Sequence, residues 1–298
     1  MINQKIYTHD GTFHIDELMA IVFIARFYFK KPVSSLEIIR TRDVKTLEEA
    51  KLSNDFVIDV GREHEPSAYN FDHHQVDESL KHDDGIPKSA CGLIFDWLDK
   101  ERKISDMYYD YVKNLSKDVD MCDNGAKAWK DGEFFFTFNR GDDEEEQYRQ
   151  FRKALVAIEG YVDNHLYAIK RVDIVNNEIE KSIKESIDNN HPELLIFDSK
   201  VEEARHVGTE KHSAFWIACG NGLNEWSIKT ICSDPDKPFS SRRNMPSEWC
   251  GLENEDLESL TGIKGMKFCH KVGFAAVFVG ERNKLIDVLK CMLKFESF

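Results

Sequence analysis

Short apolar runs alternate with helical periodicities through the first ninety residues. Residues 5–8 read as a short strand, 15–29 as a largely apolar helix and 36–41 as a second strand. Residues 44–50 read as a short helix and 56–60 as a buried strand. Strands separated by helices predict a parallel sheet with right-handed crossovers. Such a sheet carries its site in the crevice beyond the carboxyl ends of its strands.

Helical patterns follow at 89–98 and 106–122, and a long one at 144–187 contains no proline. The acidic run at 141–146 suits the positive end of that helix, so a solvated cap is the simpler reading there than a metal cluster. From Leu194 the character changes. Residues 194–197, 214–219 and 226–232 look like strands, followed by a Pro/Arg-rich loop at 235–246. Strands near 267–270 and 274–279 precede a final helix at 283–295. The stretch Asn189-Asn190-His191-Pro192 marks a boundary, dividing the chain into 1–190 and 191–298. The expected class is α/β: a parallel-sheet domain, then helices, then a smaller α/β domain.

Composition narrows this. A chain of 298 residues accommodates two domains. Hydrophobic residues at 41% and charged residues at 32% fit neither a disordered tail nor a membrane protein. The longest apolar run, 18–27, is too short to span a bilayer and contains Arg26. The N-terminal residues have no apolar signal core and no arginine-rich transit character, so an intracellular, cytoplasmic protein without a membrane partner is expected. A net charge of −14 argues against broad electrostatic coating of nucleic acid. The charge is uneven, −12 over 1–190 and −2 over 191–298. The acidic part is compatible with a cation site, and the nearly neutral part is better suited to an anionic substrate. Seven scattered cysteines, with no C-x-x-C pair, read as reduced, mostly buried thiols.

Four groups of metal-competent residues fall where a parallel sheet would present them. His9, His14 and Asp16 lie in and just after the loop that follows the first strand. Asp59 ends an apolar strand, where a carboxylate is desolvated unless it meets a cation or several donors. Asp72-His73-His74 follows Tyr69-Asn70-Phe71, and Asp118, Asp120 and Asp123 sit on a helical stretch closed by Asn124-Gly125. Each group alone is weak, since a histidine pair is more often packed or exposed than ligating. Their convergence at successive strand ends carries the weight. Nitrogen and oxygen ligands without thiolate suit Mn²⁺, Fe²⁺, Co²⁺ or Zn²⁺ better than Ca²⁺, with enough ligands for two ions sharing a carboxylate.

The stretches His9 to Glu17, Val57-Ile58-Asp59-Val60-Gly61, Phe71-Asp72-His73-His74-Gln75 and Asp120 to Gly125 resemble the melanocyte-proliferating-gene (MYG-type) exonuclease family. That family is similar to the DHH phosphoesterase superfamily. The similarity continues through Ser240-Ser241-Arg242-Arg243, Trp249-Cys250-Gly251-Leu252 and the segment 265–274, and so covers nearly the whole chain. It implies a DHH-like metal-binding domain and a smaller substrate-binding domain. It also implies one ion on His9, His14 and Asp59, and a second on Asp16, Asp59, His73 and Asp120. Asp123 is the alternative to Asp120. Catalytic roles fall to Asp59 as bridge, His74 facing the substrate and Asp72 orienting its neighbours. The ions are expected to be Mn²⁺, with Mg²⁺, Co²⁺ or Zn²⁺ as alternatives.

Two ions sharing a ligand can acidify a water and clamp an in-line phosphoryl displacement. The second domain then offers Arg242, Arg243, His270 and Lys271 to phosphate, with Gly273 permitting close backbone approach. A closing motion about a hinge near Asn189 is expected. The expected activity is a metal-dependent phosphodiesterase, a 3′–5′ exonuclease on RNA or short single-stranded nucleic acid. The alternatives are a phosphohydrolase of a small nucleotide or pyrophosphate-like anion, and a metal-binding regulatory protein without activity.

Overall fold

The computed structural model describes residues 4–75, 79–234, 236, 237 and 240–295; Pro235, which opens the expected Pro/Arg loop, lies outside them. The chain is mixed α/β and divides into two compact units, Met1–Ile169 and Lys170–Phe298.

The sheet of the first unit is built from very short strands: β1 (Ile6–Thr8), β2 (Ile38–Arg40), β3 (Phe56–Ile58), β4 (His64–Glu65) and β5 (Asn70–Phe71), in the order β2-β1-β3-β5-β4, with β1, β3 and β5 buried. β1 runs parallel to β2 and β3, and β3 parallel to β5; β4 alone is antiparallel, at the edge. The carboxyl ends of β1, β3 and β5 therefore share one edge. Against the sheet packs α1 (Ile15–Phe23), in which every residue is buried, the two acids of its first turn, Asp16 and Glu17, included. It continues as a π-helical segment, Ile24–Phe29, stopped by Lys30 in the left-handed region. Then come α2 (Val44–Leu52), capped by the Asp43 carboxylate, and α3 (Ala90–Lys100), capped by the Ser89 hydroxyl. α4 (Asp106–Asp123) and α5 (Lys130–Phe136) lead to α6 (Glu144–Asp188).

α6 takes part in both cores. Phe151, Leu155, Ile158 and Val162 pack in the first, Val175 and Ile179 in the second. Contacts thus divide the chain inside this helix, whereas the expected boundary and hinge near residue 190 fall just beyond its end.

The second unit holds β6 (Leu194–Phe197), β7 (Trp216–Gly220), β8 (Glu225–Thr230), β9 (Met266–Cys269) and β10 (Ala275–Val279), in the order β6-β7-β8-β10-β9. Only β6 and β7 pair in parallel; the other pairings are antiparallel. α7 (Asn254–Thr261) and α8 (Leu285–Lys294) complete it. Among the described residues no helix is long and apolar enough to cross a membrane.

Candidate metal centre

Three parallel strands deliver their next residues to one edge: β1 delivers His9, β3 delivers Asp59, and β5 delivers Asp72, His73 and His74. The start of α1 adds His14, Asp16 and Glu17, and the last residue of α4 is Asp123. The loop bearing His9 and His14 is held at both ends. Arg40 donates to the carbonyls of His9 (3.1 Å) and Gly11 (2.6 Å), with its guanidinium over the rings of Phe13 and Phe151. The Asn139 amide grips Phe13 by its N–H (2.9 Å) and its carbonyl (2.5 Å).

Side chains from these elements converge. His9 Nε2 lies 3.2 Å from Asp59 Oδ2 and 3.2 Å from Glu17 Oε1. His73 Nε2 lies 3.2 Å from Asp59 Oδ1 and 3.7 Å from both Asp16 Oδ2 and Asp123 Oδ2. His9, Glu17 and Asp59 group with His14; Asp16 and Asp123 group with His14 too; Asp59 groups again with His73 and His74. His9, Asp16, Glu17 and Asp59 are each at most 2% exposed. Yet both oxygens of Asp16, both of Asp59 and Nε2 of His9 lack a partner with hydrogen-bond geometry. A desolvated carboxylate without donors costs several kcal/mol, roughly, unless a cation faces it. Asp59 also adopts φ 55°, a left-handed conformation that costs on the order of 1–3 kcal/mol outside glycine. The residues present fit a divalent cation.

Electrostatics agree. Burial, then the charges of Asp59, Asp123 and Glu17, push the Asp16 carboxyl well above its usual range. Burial likewise raises Asp123. Burial opposes charge on His9, but contacts with Asp59 and Glu17 carry its pKa up to about 10. Against the same burial, His73 and His9 hold Asp59 below the usual carboxylate range. Several carboxylates compete here for few positive groups, and metal cations would relieve that competition.

Of the two acids expected to compete for one ligand position, Asp120 and Asp123, the structure places only Asp123 in the cluster. Asp120 is fully buried, but its oxygens accept from the Ser89 N–H (2.9 Å), the Ser89 hydroxyl (2.6 Å), the Gly92 N–H (3.0 Å) and His82 Nε2 (2.7 Å). Its oxygens are thus occupied by donors, and it is Asp123, three residues on, that groups with His14 and Asp16. Asp118 pairs with Lys127 at 3.7 Å, outside it. Asp72 accepts from the N–H of Arg62 (2.6 Å) and from His74 through N–H (3.1 Å) and Nδ1 (2.7 Å). That contact raises the pKa of His74, whose side chain is half exposed. Glu17 escaped the sequence reading because its spacing is that of a capping carboxylate. It does serve as one, accepting from the His14 N–H at 2.8 Å.

In the second unit Arg242 is committed elsewhere than expected: its guanidinium donates to the carbonyls of Thr209, His212 (2.8 Å) and Ala214 (3.0 Å). Arg243 lies over the rings of Phe215 and Trp216. His270 packs its ring against Phe274 and lines a cavity of about 410 Å³ with Arg205, Ser241, Asn244 and Val272. Lys271 is exposed, and Gly273, at φ 75°, closes the turn by donating to the His270 carbonyl (2.7 Å).

Fold and site together define a mixed α/β protein with a candidate divalent-metal centre at the carboxyl edge of its first sheet. Residues 5–284 match the family profile MYG1_exonuc, described as an uncharacterised protein family (UPF0160). The MYG1 protein of Chlamydia trachomatis is 30% identical, over 95% of this chain and 94% of its own length. The MYG1 exonuclease of Homo sapiens is 24% identical, over 92% and 82%. The chain belongs to this MYG1 exonuclease family. The crystal structure of RecJ in complex with Mn²⁺ from Thermus thermophilus aligns at 12% identity and a TM-score of 0.29, over 99% of this chain and 52% of that one. This chain therefore spans about half the length of that protein.

Proposed function

We propose that this chain is a metal-dependent 3′–5′ exonuclease acting on RNA or short single-stranded nucleic acid, with two divalent ions, Mn²⁺ foremost. The supporting observation is the set of buried oxygens on Asp16 and Asp59 that make no hydrogen bond at the carboxyl edge of the sheet. His9, His14 and Asp59, with Glu17 beside them, would hold one ion; Asp16, Asp59, His73 and Asp123 would hold the other. Asp59 suits the shared position because its two oxygens face different histidines, Oδ2 toward His9 and Oδ1 toward His73. Bound divalent ions supply an acidified water and neutralise charge on the phosphoryl oxygens.

The chain's own groups do the rest. Asp72 takes the Nδ1 side of His74, leaving Nε2 to hold a proton for the leaving oxygen, and the raised pKa keeps that proton on at higher pH. Arg243, His270 and Lys271 dock substrate phosphate, with Gly273 shaping the turn. Arg242 supports that region from within. A net charge of −14 favours short substrates over long strands, which need a basic groove. The family name carried by the human relative supports the nuclease over a small-anion phosphohydrolase. The test offers the chain 3′-labelled RNA, single-stranded DNA, dinucleotides and pyrophosphate in parallel, with and without Mn²⁺. Mn²⁺-dependent release of labelled mononucleotide from RNA is expected. Turnover of pyrophosphate alone would overturn the reading.

A further inference from the structure

Asp120 raises a question that the metal ligands leave open: what a fully buried carboxylate with four donors does three residues before Asp123. Its Oδ1 accepts from the backbone N–H groups of Ser89 and Gly92 and from the Ser89 hydroxyl, which ties α4 to the first turn of α3. Ser89 is the cap of α3, and its hydroxyl also accepts from the Cys91 N–H (3.3 Å). Gly92 has no side chain because a Cβ there would sit 2.2 Å from Asp120 Oδ2. That second oxygen is reserved for His82, whose Nε2 approaches to 2.7 Å. Since an ionised carboxylate only accepts, Nε2 carries the proton.

His82 does not belong to a helix or a strand. It opens a tight turn in which its N–H donates to the Ile86 carbonyl (2.8 Å) and its carbonyl accepts from the Gly85 N–H (2.9 Å). Asp84 of that turn pairs with Lys117 of α4. The end of α4 is fastened to the same segment again, because the Asn124 amide donates to the carbonyls of Pro87 (3.1 Å) and Asp120 (2.9 Å). Asp123 is the last residue of this helix, where an unfastened end frays.

We infer that His82, Asp120 and Ser89 form a strap that fixes the end of α4, making His82 a positioning residue that sets Asp123 against His14, Asp16 and His73. The strap joins the segment after the His73-His74 pair to the helix that supplies Asp123, so two parts of the centre share one anchor. This rests on the metal-dependent reading above. Partners one step removed from a metal typically alter its affinity by about 10–100-fold.

The test compares wild type, His82→Ala and His82→Gln as full chains. Mn²⁺ affinity is measured by titration calorimetry, and thermal stability is measured in EDTA. His82→Ala should raise the Mn²⁺ dissociation constant by about 10–100-fold. His82→Gln, which keeps a donor on a similar reach, should recover most of that affinity even if both variants melt earlier than wild type in EDTA. Unchanged affinity in His82→Ala overturns the strap alone. Equal loss in both variants, in step with their stability, does the same. A wild-type chain that takes up no Mn²⁺ overturns the metal reading and the strap with it.

Discussion

Asp59 combines three costs at one position: burial, a left-handed backbone and two oxygens without hydrogen bonds. Features of this kind persist where function requires them. Asp59→Asn should therefore abolish most Mn²⁺-dependent hydrolysis, while the melting temperature in EDTA falls only by what its pairs with His9 and His73 contribute. Wild-type turnover in that variant would contradict the bridging role. A different titration belongs to His212. Burial, and then the Arg242 charge, pull its pKa from 6.5 down to about 4, and neither ring nitrogen has a hydrogen-bond partner. The folded form therefore binds the proton less readily than the unfolded chain. Its contribution is present above pH 6.5 and is lost as the pH falls from there toward 4. Denaturant melts of the EDTA-treated protein at stepped pH should show this loss, and His212→Asn should flatten it. Identical pH slopes in the two proteins would show that His212 stays protonated or exposed.

At the scale of elements, the apolar runs made the parallel strands β1, β2 and β3 legible, along with most helices, because burial on both faces leaves a plain signature. β4 and β5, of two residues each, are too short to leave one; their pairing depends on neighbours already in place. α7 carries a single buried residue, Leu257, and so little periodicity. The site was legible to the same extent as the strands. His9, Asp59 and His73 follow strands, and the structure brings them together with His14 and Asp16. The choice between Asp120 and Asp123 was not legible, since both are acids on one helix and only tertiary donors from Ser89, Gly92 and His82 separate them. The carbonyl partners of Arg242 were not legible for a similar reason, because they lie some thirty residues away in sequence. Arg242→Ala should accordingly destabilise the second unit by about 1–3 kcal/mol, the cost of buried acceptors left unpaired. Lys271→Ala, at an exposed position, should leave stability unchanged and lower kcat/KM on oligonucleotides by roughly tenfold or more. Chemical denaturation beside kinetics distinguishes the two; a stable Arg242→Ala protein with weakened phosphate engagement would restore the role first expected of it.

For the whole molecule one proposition is central: an acidic chain gathers buried carboxylates that lack hydrogen bonds at a sheet edge because divalent cations belong there. Nucleic acid, polarity of digestion and phosphate docking all depend on it. The direct measurement is anomalous scattering at the manganese absorption edge from crystals grown with Mn²⁺. Strong peaks are expected on either side of Asp59, one toward His9 and His14, the other toward Asp16, His73 and Asp123. No peak beside Asp59, or peaks confined to surface acids such as those at 142–146, would contradict it.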